Sequence, residues 1–135
     1  MAVKIPAEIQ EFVKGKLGWV ATAAADGTPN VSIKGSLRVL DDEHLVFADI
    51  FSLKTRKNLQ QNPKVAVMVF DAESRRGYAL KGGAEQIEQG PLYDQTVEGI
   101  RKSMPQLPAP KYIVKVTIES IWDQSAGTNG GKQIA

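Results

Sequence analysis

The segment Ser52–Pro63, SLKTRKNLQQNP, decides the predicted fold, because it places a short helix between two strands. The apolar stretch LVFADIF precedes the segment, and its closing proline stops the helix. The first turn carries Lys54, Arg56 and Lys57, although the helix dipole already makes that end positive. Such a cluster costs electrostatic repulsion unless an anion neutralises it. The pattern therefore predicts a phosphate site, with a solvated basic surface as the alternative.

The side chains at this helix start supply what a phosphate binds. Lys54 offers a point charge, Ser52 and Thr55 offer hydroxyl donors, and Arg56 can make forked contacts. Lys34 is a second cation, on the stretch VSIKG beside a glycine. A lysine in the middle of a strand either keeps a sheet edge soluble or faces a ligand that approaches the backbone closely. These residues indicate a phosphate-bearing ligand without naming it.

Outward from this helix, the chain alternates short apolar stretches with turns. Six stretches are predicted to be strands, and an Asp26-Gly27 turn joins the first two as a hairpin. The fourth, KVAVMVFD, is apolar almost throughout and is predicted to be buried on both faces. Helices are predicted near both ends of the chain. The predicted strands are WVATAAA, VSIKGSLRVL, LVFAD, KVAVMVFD, YALKGGAEQIEQG and KYIVKVTIESIWD.

These elements predict a mainly β, α+β fold. Neighbouring strands joined by short turns form an antiparallel sheet, and closure into a small barrel removes its edges. Residues 1–123 are predicted to form a single domain, and residues 124–135, QSAGTNGGKQIA, a flexible tail.

Composition excludes several kinds of chemistry. The chain has 135 residues, no cysteine and one histidine, His44, in a turn, so thiolate chemistry and a histidine metal cluster are excluded. No P-loop or dinucleotide-binding glycine motif is present. A cofactor is therefore expected to carry any redox chemistry. The start MAVKIPAEIQEFV has no long apolar run and no stretch of the sequence is long enough for a bilayer, so we expect no signal peptide, no membrane association and a cytoplasmic location.

A nucleic-acid role for the KTRK cluster is the weakest hypothesis. The formal net charge is only +2, and no aromatic side chains are interleaved with the basic ones. We therefore expect no nucleic-acid partner.

The stretch from Ile9 to Asp71 resembles the pyridoxamine 5′-phosphate oxidase-like family of split-barrel flavoproteins, and is most similar to its small, stand-alone FMN-binding proteins. The order of parts carries the resemblance: an ADG-x-P hairpin, a strand ending in a basic residue, another hairpin, then SLKTRKNLQQNPKVAV. The spacing Lys-x-x-x-Asn-Leu-x-x-x-Pro after a strand is distinctive. The resemblance implies a six-stranded antiparallel split β-barrel with flanking helices, forming a homodimer with FMN at the subunit interface.

The resemblance also implies which residues contact FMN. Lys54 and Thr55, with Ser52 just before them, match the phosphate-contacting positions. Tyr78 falls near a position that often contacts the cofactor, and Trp122 either closes the partner's flavin or packs the end of the barrel. Two strand segments match the positions along the flavin ring and behind its edge: Asn30, Val31, Ser32, Ile33 and Lys34, and Phe47, Ala48 and Asp49.

The expected function is that of an FMN-binding oxidoreductase or electron carrier with an unknown redox partner or small-molecule substrate. If Lys34 reaches the ring, its charge would raise the reduction potential. The alternative is a binding module without turnover, since related split barrels also bind haem or a deazaflavin coenzyme. Leu53 stands where many family members have an arginine, and no histidine follows His44, so pyridoxamine phosphate oxidation is not expected.

Overall fold

The computed structural model describes the whole chain, Met1–Ala135, as seven strands and three helices. The strands are β1 (Gly18–Ala23), β2 (Pro29–Lys34), β3 (Arg38–Asp41), β4 (His44–Asp49), β5 (Lys64–Asp71), β6 (Arg76–Ile87) and β7 (Tyr112–Asp123). The helices are α1 (Ala7–Val13), α2 (Leu53–Gln61) and α3 (Pro91–Ser103). None of them is long and apolar enough to cross a membrane.

All seven strands form one antiparallel sheet with the order β2-β1-β5-β6-β7-β4-β3. Its two edge strands, β2 and β3, are consecutive in the chain, and only residues 35–37 join them. A three-residue link can connect the two edges only if the sheet curls until they approach each other. The edges are not hydrogen-bonded to each other, so the barrel stays open. The predicted mainly β, α+β fold is therefore confirmed.

The predicted count of six strands is wrong, because VSIKGSLRVL forms two strands. The first pairs with β1 as far as Lys34, which lies opposite Gly18, and the second pairs with β4 from Arg38 onward. Between them, Leu37 is buried against Gly18, where an added Cβ would lie 2.7 Å from the leucine Cδ2. The chain thus leaves one edge of the sheet and joins the other, which a continuous strand could not do.

The concave face of the sheet holds the main core of eighteen buried residues, which strands β1 and β4–β7 share with α1 and α2. A smaller cluster lies on the other side of β4 and β7, where Val46, Ala48 and Ile113 pack against Ile100 of α3. The β6–β7 pairing shifts register between Lys81 and Gly82. Gly82 lies so close to β7 that an added Cβ would come 1.8 Å from the carbonyl oxygen of Thr117.

Strand β5 is buried on one face only within this chain. Val65, Val67 and Val69 point into the core, whereas Ala66 and Met68 on the other face are half-buried. The prediction of burial on both faces is therefore wrong for the single chain. The outer face of β5 is apolar and has no partner within this chain.

The C-terminal segment, predicted to be a flexible tail, is hydrogen-bonded to β7. Asp123 exchanges backbone hydrogen bonds with residues 131 and 132, at 2.6 and 2.8 Å, and Ile121 does so with Ile134 and Ala135, at 2.7–3.3 Å. These bonds hold the tail against the last strand.

Candidate functional site

The open side of the barrel forms a cleft where the ends of β2 and β4 meet the start of α2. Its volume is about 170 Å³. Apolar side chains of Ile33, Ile50, Phe51 and Leu107 line it together with polar groups of β2 and of the turn before α2. The cleft exists because the two edges of the sheet approach each other here without pairing.

The polar floor of this cleft is a buried ion pair. The Lys34 side chain is 7% exposed and that of Asp49 is 1% exposed, and the ammonium Nζ donates to Asp49 Oδ1 at 3.1 Å. Lys34 also donates to the Ser52 hydroxyl. The Asp49 carboxylate accepts two further hydrogen bonds, from the backbone N–H of Ser52 to Oδ1 at 2.9 Å and from the Tyr112 hydroxyl to Oδ2 at 2.7 Å. An ammonium group has three N–H donors, so one of Lys34's remains for a ligand.

Tyr112 acts in this network as a fixed donor. Burial raises the pKa of its phenol far above the usual value, and the hydrogen bond to Asp49 adds to the shift because an ionised phenol would face a carboxylate. Tyr112 therefore keeps its proton at neutral pH and donates a hydrogen bond to Asp49.

The start of α2 offers backbone donors with no partner in this chain. Ser52 is the N-cap residue, but its side chain makes no capping hydrogen bond. No acceptor takes the backbone N–H of Lys54 or of Thr55. Since helix starts normally satisfy these groups with a cap, water or a ligand, this end of α2 is suited to an anion.

Some side chains around the start of α2 have no partner in the chain, and others are already in contact with neighbouring residues. Lys54 and Lys57 are exposed and form no ion pair with an acidic side chain. Thr55 is completely buried, and its Oγ lies 3.0 Å from the Ser32 hydroxyl. Arg56 packs its guanidinium 5.1 Å from the centre of the Tyr112 ring and lies 3.5 Å from a Glu88 carboxylate oxygen. Arg56 is therefore held on the side of β6 and β7.

The structure brings most of the sequence-predicted site residues together. Lys34, Ser52 and Ala48 line the cleft, and Asp49 lies behind it, hydrogen-bonded to Lys34 and Ser52. Ile33 lines the apolar wall although it is 50% exposed. Three others lie away from the cleft: Val31 is exposed on the outer face of β2, Phe47 is fully buried in the main core, and Asn30 is half-buried further along β2.

Tyr78 lies apart from the cleft within one chain. Its ring packs 5.2 Å from that of Phe12 on α1, and its hydroxyl accepts from Arg76 at 2.8 Å. Trp122 lies on the outer face of β7, with its indole N–H donated to Ser120 and the Lys81 ammonium 4.8 Å from its ring. A contact of either residue with a cofactor stays a prediction that concerns a second chain.

Sequence reasoning missed Tyr112 and the pairing of Lys34 with Asp49. The available signal was an aspartate that ends the otherwise apolar strand LVFAD, since a buried carboxylate needs donors. Those donors come from positions 15 and 63 residues away in the chain, so no local pattern identifies them.

An apolar row crosses the outer face of five strands. Cross-strand neighbours Ile33, Trp19, Met68, Ala79 and Trp122 follow one another from β2 to β7. Ile33 is 50% and Trp19 43% exposed in the single chain. Such a continuous apolar face on a sheet is typical of an interaction surface.

Comparison with known proteins supports this architecture. An uncharacterized protein of Methanocaldococcus jannaschii is 34% identical over 135 residues, covering 98% of this chain and 89% of that protein. The crystal structure of HupZ from Group A Streptococcus is 28% identical, with a TM-score of 0.82 over 94% of this chain and 99% of that one.

More distant structures share the fold alone. An FMN-binding protein from Syntrophomonas wolfei is 17% identical, with a TM-score of 0.72 over 82% of this chain and 78% of that one. An F420 reductase (24% identical, TM-score 0.68) covers 87% of this chain and 98% of its own. HutZ, a haem storage protein of Vibrio cholerae (21% identical, TM-score 0.66), covers 89% and 94%. The fold thus occurs in proteins that bind chemically different cofactors.

A family model matches residues 5–125, which is most of the chain. The match spans the open barrel, the cleft with its buried lysine and the uncapped start of α2. The chain therefore belongs to the pyridoxamine 5′-phosphate oxidase family.

Proposed function

We propose that this protein binds FMN, with the phosphate at the start of α2 and the flavin ring in the cleft. The observation that carries the proposal is the uncapped first turn of α2. This turn follows directly after Ser52, which lines the cleft, and the only buried cation of the cleft is Lys34. A phosphate needs N–H donors and positive charge, and a flavin ring needs apolar walls with donors at one edge. The residues present fit both requirements.

The phosphate end uses the backbone N–H groups of Lys54 and Thr55 and the ammonium of Lys54. These groups have no other partner in the chain, so binding breaks no existing contact. The buried Thr55 hydroxyl, paired with Ser32, fixes the position of this turn on β2. Arg56 stays with Glu88 and Tyr112 and is not needed for the phosphate.

The ring end uses Lys34 and the apolar walls. The free N–H of Lys34 donates to a carbonyl or ring nitrogen of the cofactor, and Ile33 and Phe51 exclude water from its face. When bound, FMN would supply hydride or electron transfer, and the protein would hold and orient it.

We infer that the complete site needs a second copy of the chain. The cleft of about 170 Å³ is smaller than the roughly 300–1,000 Å³ of typical ligand pockets. The apolar row from Ile33 to Trp122 lies on the face that begins at this cleft, and burying it in a homodimer would bring the second chain to the cofactor. Trp122, which belongs to this row, would then reach a flavin across the interface. The predicted contact of Tyr78 with a cofactor likewise requires the second chain.

The proposed role is that of an oxidoreductase or electron carrier with a small-molecule substrate or redox partner. The alternative is a binding module without turnover for flavin, haem or a deazaflavin coenzyme, which is favoured by the range of cofactors among proteins of this fold. Bleaching of the flavin band by a nicotinamide coenzyme distinguishes the two. A cytoplasmic location stays a prediction from the sequence.

Quenching of FMN fluorescence by the purified protein tests the binding proposal. We expect saturation at one FMN per chain. Lys54→Ala should weaken binding by about 1.5–3 kcal/mol, because it removes a charge-assisted phosphate contact. Lys57→Ala is the matched control, since it removes an exposed lysine of the same helix one turn from the free N–H groups. No quenching, or equal loss in both variants, contradicts the proposal.

Analytical ultracentrifugation tests the homodimer. Trp19→Glu places a charge in the middle of the apolar row and should give a monomer that binds FMN weakly. Lys102→Glu introduces the same side chain on the exposed surface of α3 and should leave the dimer intact. A wild-type monomer that binds FMN at full affinity contradicts the interface.

A further inference from the structure

The strongest unexplained feature of the cleft is that its only buried cation is already paired. Asp49 and Lys34 are both almost fully buried, and their nearest charged atoms are 3.1 Å apart. Asp49 also accepts hydrogen bonds from the backbone N–H of Ser52 and from the hydroxyl of Tyr112. The pair therefore fixes the Lys34 ammonium in one place with one N–H to spare.

Pairing changes what a ligand in the cleft experiences. An isolated ammonium acts at long range in a medium of low polarity, whereas an adjacent carboxylate cancels most of that field beyond the first contact. The floor thus offers a hydrogen-bond donor with almost no net charge. A ring that gains negative charge on reduction is stabilised far less by such a pair than by lysine alone.

We propose that Asp49 is a positioning residue that neutralises Lys34 and so holds the reduction potential of the bound cofactor below the value that an unpaired lysine would give. Tyr112 and the Ser52 backbone keep the carboxylate in place. The proposal deepens the proposed function and rests on it for the identity of the cofactor. It keeps the expectation that the charge of Lys34 raises the potential, and adds that Asp49 offsets most of that rise.

The test is a double-mutant cycle on the midpoint potential of the FMN-loaded protein. Asp49→Asn keeps the shape and removes the negative charge, so the midpoint should shift to a more positive value. Lys34→Met leaves the carboxylate unpaired, so the midpoint should shift to a more negative value. The double variant has no net charge at the floor, and its midpoint should return close to that of the wild type.

Two controls separate charge from structure. Asp71→Asn makes the same chemical change at an exposed aspartate bound to Ser74, far along the sheet, and should leave the midpoint unchanged. Ser52→Ala removes an uncharged contact of Lys34 and should shift the midpoint less than Asp49→Asn does. A midpoint that is unchanged or more negative in Asp49→Asn, or two single shifts in the same direction, overturns the proposal.

A measurement without cofactor keeps the two proposals distinguishable. Urea unfolding of the four FMN-free proteins should show coupling, with the double variant more stable than the sum of the single losses predicts. Additive losses overturn the pairing whatever the cofactor proves to be. If the wild type fails to bind FMN, the proposed function is overturned, and this unfolding cycle still decides whether Asp49 and Lys34 act as a pair.

Discussion

Lys34 and Lys54 carry the same charge close to the same residue, Ser52, yet the fold treats them in opposite ways. Lys34 is buried at the floor of the cleft and pairs with Asp49 and Ser52. Lys54 is exposed at the start of α2, beside backbone N–H groups that nothing in the chain accepts. One cation is satisfied by the protein, and the other is left for a ligand.

The difference follows from the cost of removing charge from water. A buried ammonium without a partner is unstable, so a lysine at the floor requires a carboxylate within contact distance. An exposed ammonium keeps its hydration and needs none. Charged groups that bind a ligand are therefore expected at positions that water reaches when the ligand is absent. Charged groups buried beneath the site are expected to be paired with an opposite charge of the protein.

The largest expected effect is on the free energy of unfolding, when the buried lysine, Lys34, is removed. Lys34→Ala leaves Asp49 as an unpaired buried charge and should lower the free energy of unfolding by about 3–5 kcal/mol. Lys54→Ala removes an exposed side chain without a partner and should change it by less than about 0.5 kcal/mol. Urea unfolding measures both, and equal losses in the two variants would mean that burial is not what distinguishes them.

A smaller effect is expected from the Tyr112 hydroxyl. Tyr112→Phe leaves one Asp49 oxygen without its donor and should cost about 1–3 kcal/mol at neutral pH. Because the raised pKa means that the folded chain holds this proton more tightly than the unfolded chain, the contribution is complete below the unfolded pKa of about 10. It is lost as pH rises above that value.

Unfolding measured between pH 8 and about pH 11.5 checks this prediction. The wild type should lose stability steeply above about pH 10, and Tyr112→Phe should lose less over the same range. Tyr93→Phe is the control, because its hydroxyl donates to a backbone carbonyl oxygen and not to a carboxylate. Parallel curves for wild type and Tyr112→Phe would contradict the role assigned to the hydroxyl.

The smallest expected effect is on FMN affinity, when a cation is added at the exposed start of α2. Leu53 is 82% exposed beside the free N–H groups. Leu53→Arg should strengthen FMN binding by on the order of 1 kcal/mol at low salt, since it adds an exposed cation near the phosphate. The gain should fade in high salt.

Fluorescence titrations at two salt concentrations check this prediction, with Leu53→Gln as the uncharged control. A gain of equal size for glutamine and arginine, or one that does not depend on salt, would show that the charge at this position does not act on the phosphate.

The comparison also explains how far the sequence could predict the site. The start of α2 was predicted correctly as a basic helix after a strand, because its signals are local: a preceding apolar stretch, a cluster of cations and a closing proline. Lys34 was identified from its position beside a glycine in a strand. Whether it faced a ligand or solvent depended on a partner that lies 15 residues further along the chain.

Other differences have the same origin. VSIKGSLRVL was predicted to be one strand, but the strand ends at Lys34, because the chain passes from one edge of the sheet to the other. The sequence also does not show that the register of β6 directs Tyr78 to α1, where it meets Phe12; its contact with a cofactor stays a prediction. Register and edge pairing depend on which strands meet, and that information is spread over the whole chain.

The sequence by itself determined the class of fold, the antiparallel order of local hairpins and the basic start of α2. Alternation, turn residues and helix signals act over a few residues, so they can be recognised without knowing the rest of the structure. Only the tertiary structure decided which charges are paired. The curled sheet brings Lys34, Asp49 and Tyr112 together, and burial there makes pairing necessary, whereas the same curl leaves the first turn of α2 open to an anion.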